Sequence, residues 1–283
     1  MFEDAVSVIT GAGSGIGRAL AVNLGQQGAA LALSDVDVDG LQETARQCVA
    51  AGVHVLVTEL NVADRRAMQE YAQLVIAEFG RVDILFNNAG VIFTGDVMQT
   101  EYEDIQRIVD VDFWGVVHGT TAFLPHLVDS GAGVIVNISS AYGLISAPNY
   151  SAYNAAKFAV RGFTHAVEQE ARLARWPVRV ACVYPGAIRT SILRTSRAAA
   201  GQDLDAINRA FDRLARTTPQ QASRAILRGV RQRKSRILIG HDARAVDLLS
   251  RLFPVGYQRL FQLARHLARK SNLPPQHDTR NTR

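Results

Sequence analysis

Short apolar runs alternate with segments of helical periodicity along the first 240 positions of this 283-residue chain. Six runs read as strands: "DAVSVIT" (4–10), "AALALSD" (29–35), "VHVLVTEL" (53–60), "VDILFNN" (82–88), "AGVIVNIS" (132–139) and "VRVACVYP" (178–185). Between them, 15–27, 40–51, 64–79, 102–128 and 151–174 place apolar residues three and four apart, as one buried helix face requires. A further helical segment near 219–233 precedes a seventh short run, "RILIG" (236–240). Strands that are apolar almost throughout are covered on both faces, and strands alternating with helices make parallel crossovers. The pattern therefore predicts an α/β fold, a three-layer doubly wound parallel sheet of about seven strands. No linker, low-complexity tract or internal repeat interrupts it, so we expect one domain over 1–240 and a C-terminal helical extension over 241–283.

Composition narrows the class. At 48% hydrophobic and 20% charged, the chain has neither the charge excess nor the apolar poverty of a disordered protein. The opening "MFEDAVSVITG" has no basic region followed by an apolar run of signal length, and no stretch approaches the roughly 18 apolar residues of a membrane span. A soluble, cytoplasmic protein is the expectation. Cys48 and Cys182 lie far apart with no metal-ligand spacing around either, so both read as packing residues and no metal site is expected. The net charge of +5 is unevenly spread. From Arg224 to Arg283 there are 14 Lys and Arg against three Asp and Glu, about +11, which leaves about −6 for residues 1–223. The basic character belongs to the tail.

"TGAGSGIG" (10–17) follows the first strand and opens the first helix, the setting in which glycines permit a tight turn against a pyrophosphate. Backbone N–H groups at the helix start complement the negative charge. The glycines fall at Gly11, Gly15 and Gly17, and G-x-G-x-x-G is not met, because Ile16 and Arg18 stand where it needs glycine. Asp35 ends the second strand 18 residues after Gly17, where a carboxylate can accept from both hydroxyls of an adenine ribose and would repel a 2′-phosphate. Val36 follows, not a base, so NAD is favoured over NADP; the alternative is that Asp35 caps the next turn.

"NYSAYNAAKFAV" (149–160) sets Tyr150, Tyr153 and Lys157 on one helical stripe, and that spacing alone does not say which tyrosine does chemistry. Five motifs decide it together: "TGAGSGIG", "NNAG" (87–90), "NISS" (137–140), "YNAAK" (153–157) and "YPGAIRT" (184–190). In this order and at these separations they resemble the short-chain dehydrogenases/reductases of the T-G-x-x-x-G-x-G and Y-x-x-x-K subtype, over about residues 4–240. The resemblance implies a Rossmann-like sheet, a hydride-transferring oxidoreductase and a homodimer or homotetramer. It implies that Tyr153 is the acid and base, that Ser140 holds the substrate oxygen, and that Lys157 assists Tyr153 and binds the nicotinamide ribose. Tyr150 does not fit the motif and is either pocket lining or packing; Ser139 should point to the opposite side from Ser140. An ammonium one turn from a phenol favours phenolate, so we expect Lys157 to lower the Tyr153 pKa. For NAD, the same carry-over implies Gly11, Ser14, Gly15, Ile16 and Gly17 at the pyrophosphate and Asp35, Asn87, Ala89 and Gly90 at the adenosine ribose. Asn61 and Val62 should meet the adenine, and Pro185, Gly186, Ile188 and Thr190 the carboxamide end, beside Tyr153 and Lys157.

Asp112 departs from the family, which usually has asparagine there to help hold a water linking the lysine to solvent. Asp112 brings charge and lacks the amide donors; it either joins the proton relay beside Lys157 or binds helix backbone only. By position the substrate pocket comprises Val91, Phe93, Tyr142, Leu144, Ile145, Pro148, Tyr150, Ile188 and Leu193, mostly apolar, which points to a small hydrophobic secondary alcohol or ketone. The segment 189–217, without strong periodicity at its start, reads as a lid. Beyond 241 the family pattern stops, and Pro254 should divide an amphipathic basic stretch into two helices before a disordered end. That stretch packs on the body or a second subunit, meets an anionic membrane surface peripherally, or, least favoured, contacts nucleic acid. Besides NAD-dependent dehydrogenase, two other readings stay open: a non-catalytic dinucleotide-binding sensor or scaffold, and an NADP-dependent carbonyl reductase.

Overall fold

The computed structural model describes residues 2–190, 192, 196–199 and 202–259. Seven parallel strands form the sheet: β1 (Val6–Thr10), β2 (Ala30–Asp35), β3 (Val55–Glu59), β4 (Ile84–Asn87), β6 (Gly133–Ile138), β7 (Val178–Pro185) and β9 (Arg236–Ile239), in the order β3-β2-β1-β4-β6-β7-β9. A separate ribbon pairs β5 (Phe93–Thr94) with β8 (Arg197–Ala198). Pairing begins at Val6 with Ala30 and continues through Asn87 with Asn137 to Pro185 with Ile239. The strand order reverses between β1 and β4, which is where a doubly wound sheet opens a crevice.

Successive strand residues point to opposite faces, which makes two cores from the same strands. On one face, Ile9, Leu33, Phe86, Val136 and Val183 pack with α1 (Gly15–Gly25), α2 (Val38–Val49) and α8 (Pro219–Arg231) through Leu20, Leu41 and Ile226. On the other, Val8, Leu85, Ile135 and Val180 pack with α3 (Arg65–Phe79), α5 (Gly115–Asp129) and α6 (Ser151–Leu173) through Met68, Phe123 and Val167. Side-chain caps set the helix starts: Asp64 accepts from Arg66 and Ala67 N–H at α3, and Thr218 with Gln221 forms a reciprocal box at α8, with Pro219 next.

Every strand read from the sequence is present, to within one or two residues at each end. Three features differ. The long segment 102–128 is α4 (Tyr102–Val109), a π turn (Asp110–Trp114) and α5. The segment 189–217 is more regular than its sequence suggests, holding β8 and α7 (Leu204–Leu214), which buries no residue fully while Ile207 and Phe211 pack on the cluster around Tyr153. The stretch beyond 241 begins as α9 (His241–Leu252), which ends before Phe253 and Pro254; residues 260–283, where most of the expected second helix and the end fall, lie outside the described residues. No described helix is long and apolar enough to cross a membrane.

Candidate active site

A cavity of about 1070 Å³ opens over the C-terminal ends of β1, β2, β4, β6 and β7. At one end stands the glycine turn. Gly11 and Gly15 have φ of +65° and +53°, values that side chains other than glycine adopt at a cost. A Cβ on Gly11 would lie 2.7 Å from the Cα of Ala89, so the turn and the β4 loop touch backbone to backbone. Asn88 fastens that contact, donating to the carbonyls of Thr10 at 2.9 Å and Gly11 at 3.0 Å. Ser14 caps α1 without a side-chain bond, which leaves the N-terminal N–H groups for an anion.

Asp35 lines the same end. It accepts from Gly13 N–H at 2.7 Å through Oδ2 and from Asp37 N–H at 3.0 Å through Oδ1. Asp35 thus braces two turns and also lines the cavity. Arg18, the base nearest the turn in sequence, is committed to protein. Its guanidinium donates to the carbonyls of Gly13 and Gly40 and to Thr44 Oγ1. Asn61 and Val62 also line the wall, and the amide oxygen of Asn61 accepts from Ala63 N–H at 3.1 Å.

At the other end, α6 carries Tyr153 and Lys157, and Ser140 follows β6. The Lys157 ammonium lies 5.6 Å from the Tyr153 ring centre, and Ser140 lines the same wall, its hydroxyl accepting from Tyr142 N–H at 3.1 Å. Ser139 turns away, donating to the Lys157 carbonyl at 2.9 Å. Tyr142 and Tyr150 both line the cavity with rings 5.3 Å apart, so Tyr150 is a wall residue. Pro185, Gly186, Ile188 and Thr190 complete this end, with Ala187.

Asp112 is fully buried in the π turn and faces this cluster. Its Oδ1 accepts from Val91 N–H at 2.7 Å, and Oδ2 lies 3.1 Å from the Lys157 ammonium, an ion-pair contact without a directed hydrogen bond of its own. It therefore does not bind helix backbone alone. Burial pushes the Asp112 carboxyl up, opposed by the Lys157 charge. For Lys157, burial disfavours the ammonium, and the Asp112 carboxylate together with the Tyr153 side chain more than restores it. Tyr153 corrects the expectation from spacing. Burial pushes its phenol above the ordinary value, Lys157 pulls it down, and the Asp112 carboxylate opposes that pull. One turn of helix supplies the cation but not a net acidic phenol.

Other expected residues stand elsewhere. Asn87 is buried away from the cavity, donating to Asn137 Oδ1 at 2.8 Å and Thr120 Oγ1 at 3.1 Å; Asn88, Ala89 and Gly90 make the wall instead. A strand residue and its neighbour face opposite ways, and "NNAG" does not say which asparagine faces in. Gly17 lies behind the turn, where a Cβ would collide with the Gly11 carbonyl; its role is packing. Phe93 is buried in the cluster with Tyr153 and Leu144 packs with Cys182 and Tyr184, both behind the wall that Val91 helps form. Leu193 lies outside the described residues. Sequence reading missed Gln106, Arg107 and Asp110 from α4 and the π turn, Phe211 from α7, and Asp242 and Val246 from α9. The amphipathic pattern of 102–109 held the only signal for the first of these. Among the described residues there is no group of three metal-ligating side chains.

Comparison with known proteins agrees with this geometry. The short chain dehydrogenase family matches residues 5–201. The chain is 54% identical over 260 residues to the proposed oxidoreductase SadH of Mycobacterium tuberculosis (strain ATCC 25618 / H37Rv), covering 92% of this chain and 94% of that one. It is 35% identical over 195 residues to cyclohexanol dehydrogenase of Acinetobacter sp. (strain SE19), covering 68% and 76%. Among solved structures, a short chain dehydrogenase/reductase from Burkholderia phymatum in complex with NAD superposes with a TM-score of 0.82 at 30% identity, over 88% of this chain and 94% of that one.

Proposed function

Because this chain belongs to the short-chain dehydrogenase family and is an oxidoreductase of Rossmann-like fold, we propose that it moves hydride between NAD and a small hydrophobic secondary alcohol or ketone, with Tyr153 as acid and base. The observation that carries this reading is the meeting of the Ser140 hydroxyl, the Tyr153 phenol and the Lys157 ammonium on one wall of a cavity whose far end holds Asp35.

The residues present fit a dinucleotide. The start of α1, where Ser14 makes no side-chain cap bond, offers N–H groups to a pyrophosphate. Asp35 suits a ribose with free hydroxyls, and Arg18, held by three protein acceptors, is not free for a 2′-phosphate. The cavity exceeds the roughly 300–1,000 Å³ of a small-ligand pocket, which leaves room for a substrate beside a cofactor. A bound nicotinamide supplies the hydride acceptor or donor. In alcohol oxidation, Ser140 holds the substrate oxygen and Tyr153, as phenolate, takes its proton; in reduction the phenol returns it. Lys157 favours phenolate against the burial that disfavours it, and a bound positive nicotinamide would add to that effect. Val91, Tyr142 and Tyr150 give the reacting end an apolar and aromatic wall. The name of the cyclohexanol dehydrogenase relative agrees with such a substrate.

Following NADH absorbance with a panel of alcohols and ketones tests this. Turnover of cyclic or branched secondary alcohols is expected, with Tyr153→Phe lowering kcat by about 10²–10⁴ while NADH affinity stays unchanged. Turnover confined to acidic or sugar substrates, or a fully active Tyr153→Phe enzyme, would refute it.

A further inference from the structure

The nicotinamide end of the cavity is closed by a helix that the family match does not reach. The match stops at residue 201, yet α9 supplies Asp242 and Val246 to the cavity wall. The entry to this helix is built around one carboxylate. Gly240, with φ of +92°, turns the chain from β9 into α9 and puts Asp242 in the first helical turn, where the helix dipole favours negative charge. Asp242 Oδ2 accepts from Ala187 N–H at 2.6 Å. A Cβ on Gly186 or on Gly240 would collide with that carboxylate, so both glycines leave the space it occupies. The loop it grips is otherwise tied by Gly186 N–H to the Ile239 carbonyl and by Arg189 N–H to the Thr217 carbonyl, each at 2.9 Å. α9 is itself anchored: Asp247 pairs with Arg236 of β9, and beyond the helix the Tyr257 hydroxyl accepts from Ser146 N–H at 3.1 Å.

We propose that Asp242 is a positioning residue for the Pro185–Thr190 loop, so that α9 sets where the nicotinamide end of the cofactor rests. The inference depends on the reading of the site as a dinucleotide site. Asp242 acts through the loop backbone, by fixing Gly186 and Ala187, and takes no part in proton transfer. Its effect falls on the half of the cofactor that carries nicotinamide and leaves the adenosine half, bound some way off by the glycine turn and Asp35, untouched.

The test compares NADH with ADP-ribose, which lacks nicotinamide, in binding to the full chain and to Asp242→Ala and Asp242→Asn. Loss of one charge-assisted hydrogen bond predicts that Asp242→Ala weakens NADH about tenfold and lowers kcat by a similar factor, while ADP-ribose affinity is unchanged. Asp242→Asn, whose amide oxygen still accepts, should recover most of both. Thermal melts of each variant show that the folded protein is being measured. Equal weakening of NADH and ADP-ribose would assign Asp242 a general structural role and overturn the proposal, as would unchanged NADH affinity in Asp242→Ala. Wild-type protein that binds neither ligand would instead overturn the dinucleotide reading itself, and this inference with it.

Discussion

Replacing Asp112 with asparagine removes one buried charge from beside the reacting phenol and keeps the side chain's shape. The Lys157 ammonium lies 3.1 Å from the carboxylate and 5.6 Å from the Tyr153 ring centre, so carboxylate and ring are no more than about 9 Å apart. At an effective dielectric of about 20, a carboxylate and a phenolate at that separation repel by about 2 kcal/mol. That is a little over one pKa unit. The sign follows from the direction of the shift: the Asp112 charge raises the Tyr153 pKa, so its removal lowers it. Alcohol oxidation needs phenolate, and its kcat/KM rises with pH through that value. The rising limb should therefore move about one unit toward acid in Asp112→Asn. Initial rates at saturating NAD, carried up to the alkaline limit at which the protein stays folded, measure it, with urea denaturation alongside, because removing one partner of a buried ion pair destabilises by about 3–5 kcal/mol. A competing effect has the opposite sign: Asp112 also supports the ammonium of Lys157 against burial. A limb that stays in place, or moves toward alkali, would mean that the lysine loses its proton first, and would refute the electrostatic ordering argued above.

Three further outcomes follow from the same geometry. On the proposed NAD reading, Asp35→Ser should shift relative affinity toward NADP by about tenfold in paired measurements, because the proposal sets that carboxylate against a 2′-phosphate. Phe123→Ala, which empties a fully buried site between α5 and the sheet, should cost about 3–5 kcal/mol in urea denaturation and leave NADH affinity unchanged. The Arg236 guanidinium, by hydrogen bonding, holds the Asp247 carboxyl below its ordinary value of 3.8, so the stability it contributes is present above that value and lost as pH falls through the lowered one. Asp247→Asn should thus be less stable than wild type at pH 7 and indistinguishable from it once the wild-type carboxyl is protonated, as acid titration of the melting temperature would show.

The sheet was legible because each strand is apolar on both faces and bounded by helical periodicity, a signal that local pattern carries by itself. The π turn was not. Asp110–Trp114 continues the same amphipathic run as α4 and α5, and only its packing against α6 and the β4 loop reveals the extra residue that turns Asp112 toward Lys157. The motifs placed Ser140, Tyr153 and Lys157 on one wall, yet motif spacing has no measure of burial, and burial reversed the net direction of the Tyr153 shift. Likewise "NNAG" names a turn without saying which asparagine points to the sheet interior. Asp242 lay furthest from view: its partner, Ala187, is 55 positions away, joined through β9.

The ribbon of β5 and β8 joins two stretches more than a hundred positions apart, Phe93–Thr94 and Arg197–Ala198. Contacts of such long sequence separation carry a large closure entropy and are expected to form late, after β6 and β7 have been laid down between them. Two paired residues are also a weak clasp, so this corner should open far more readily than the sheet while the rest stays folded. Limited proteolysis would then first nick the chain near α7, and a ligand that bridges both sides of the clasp would protect it without touching the cleavage point.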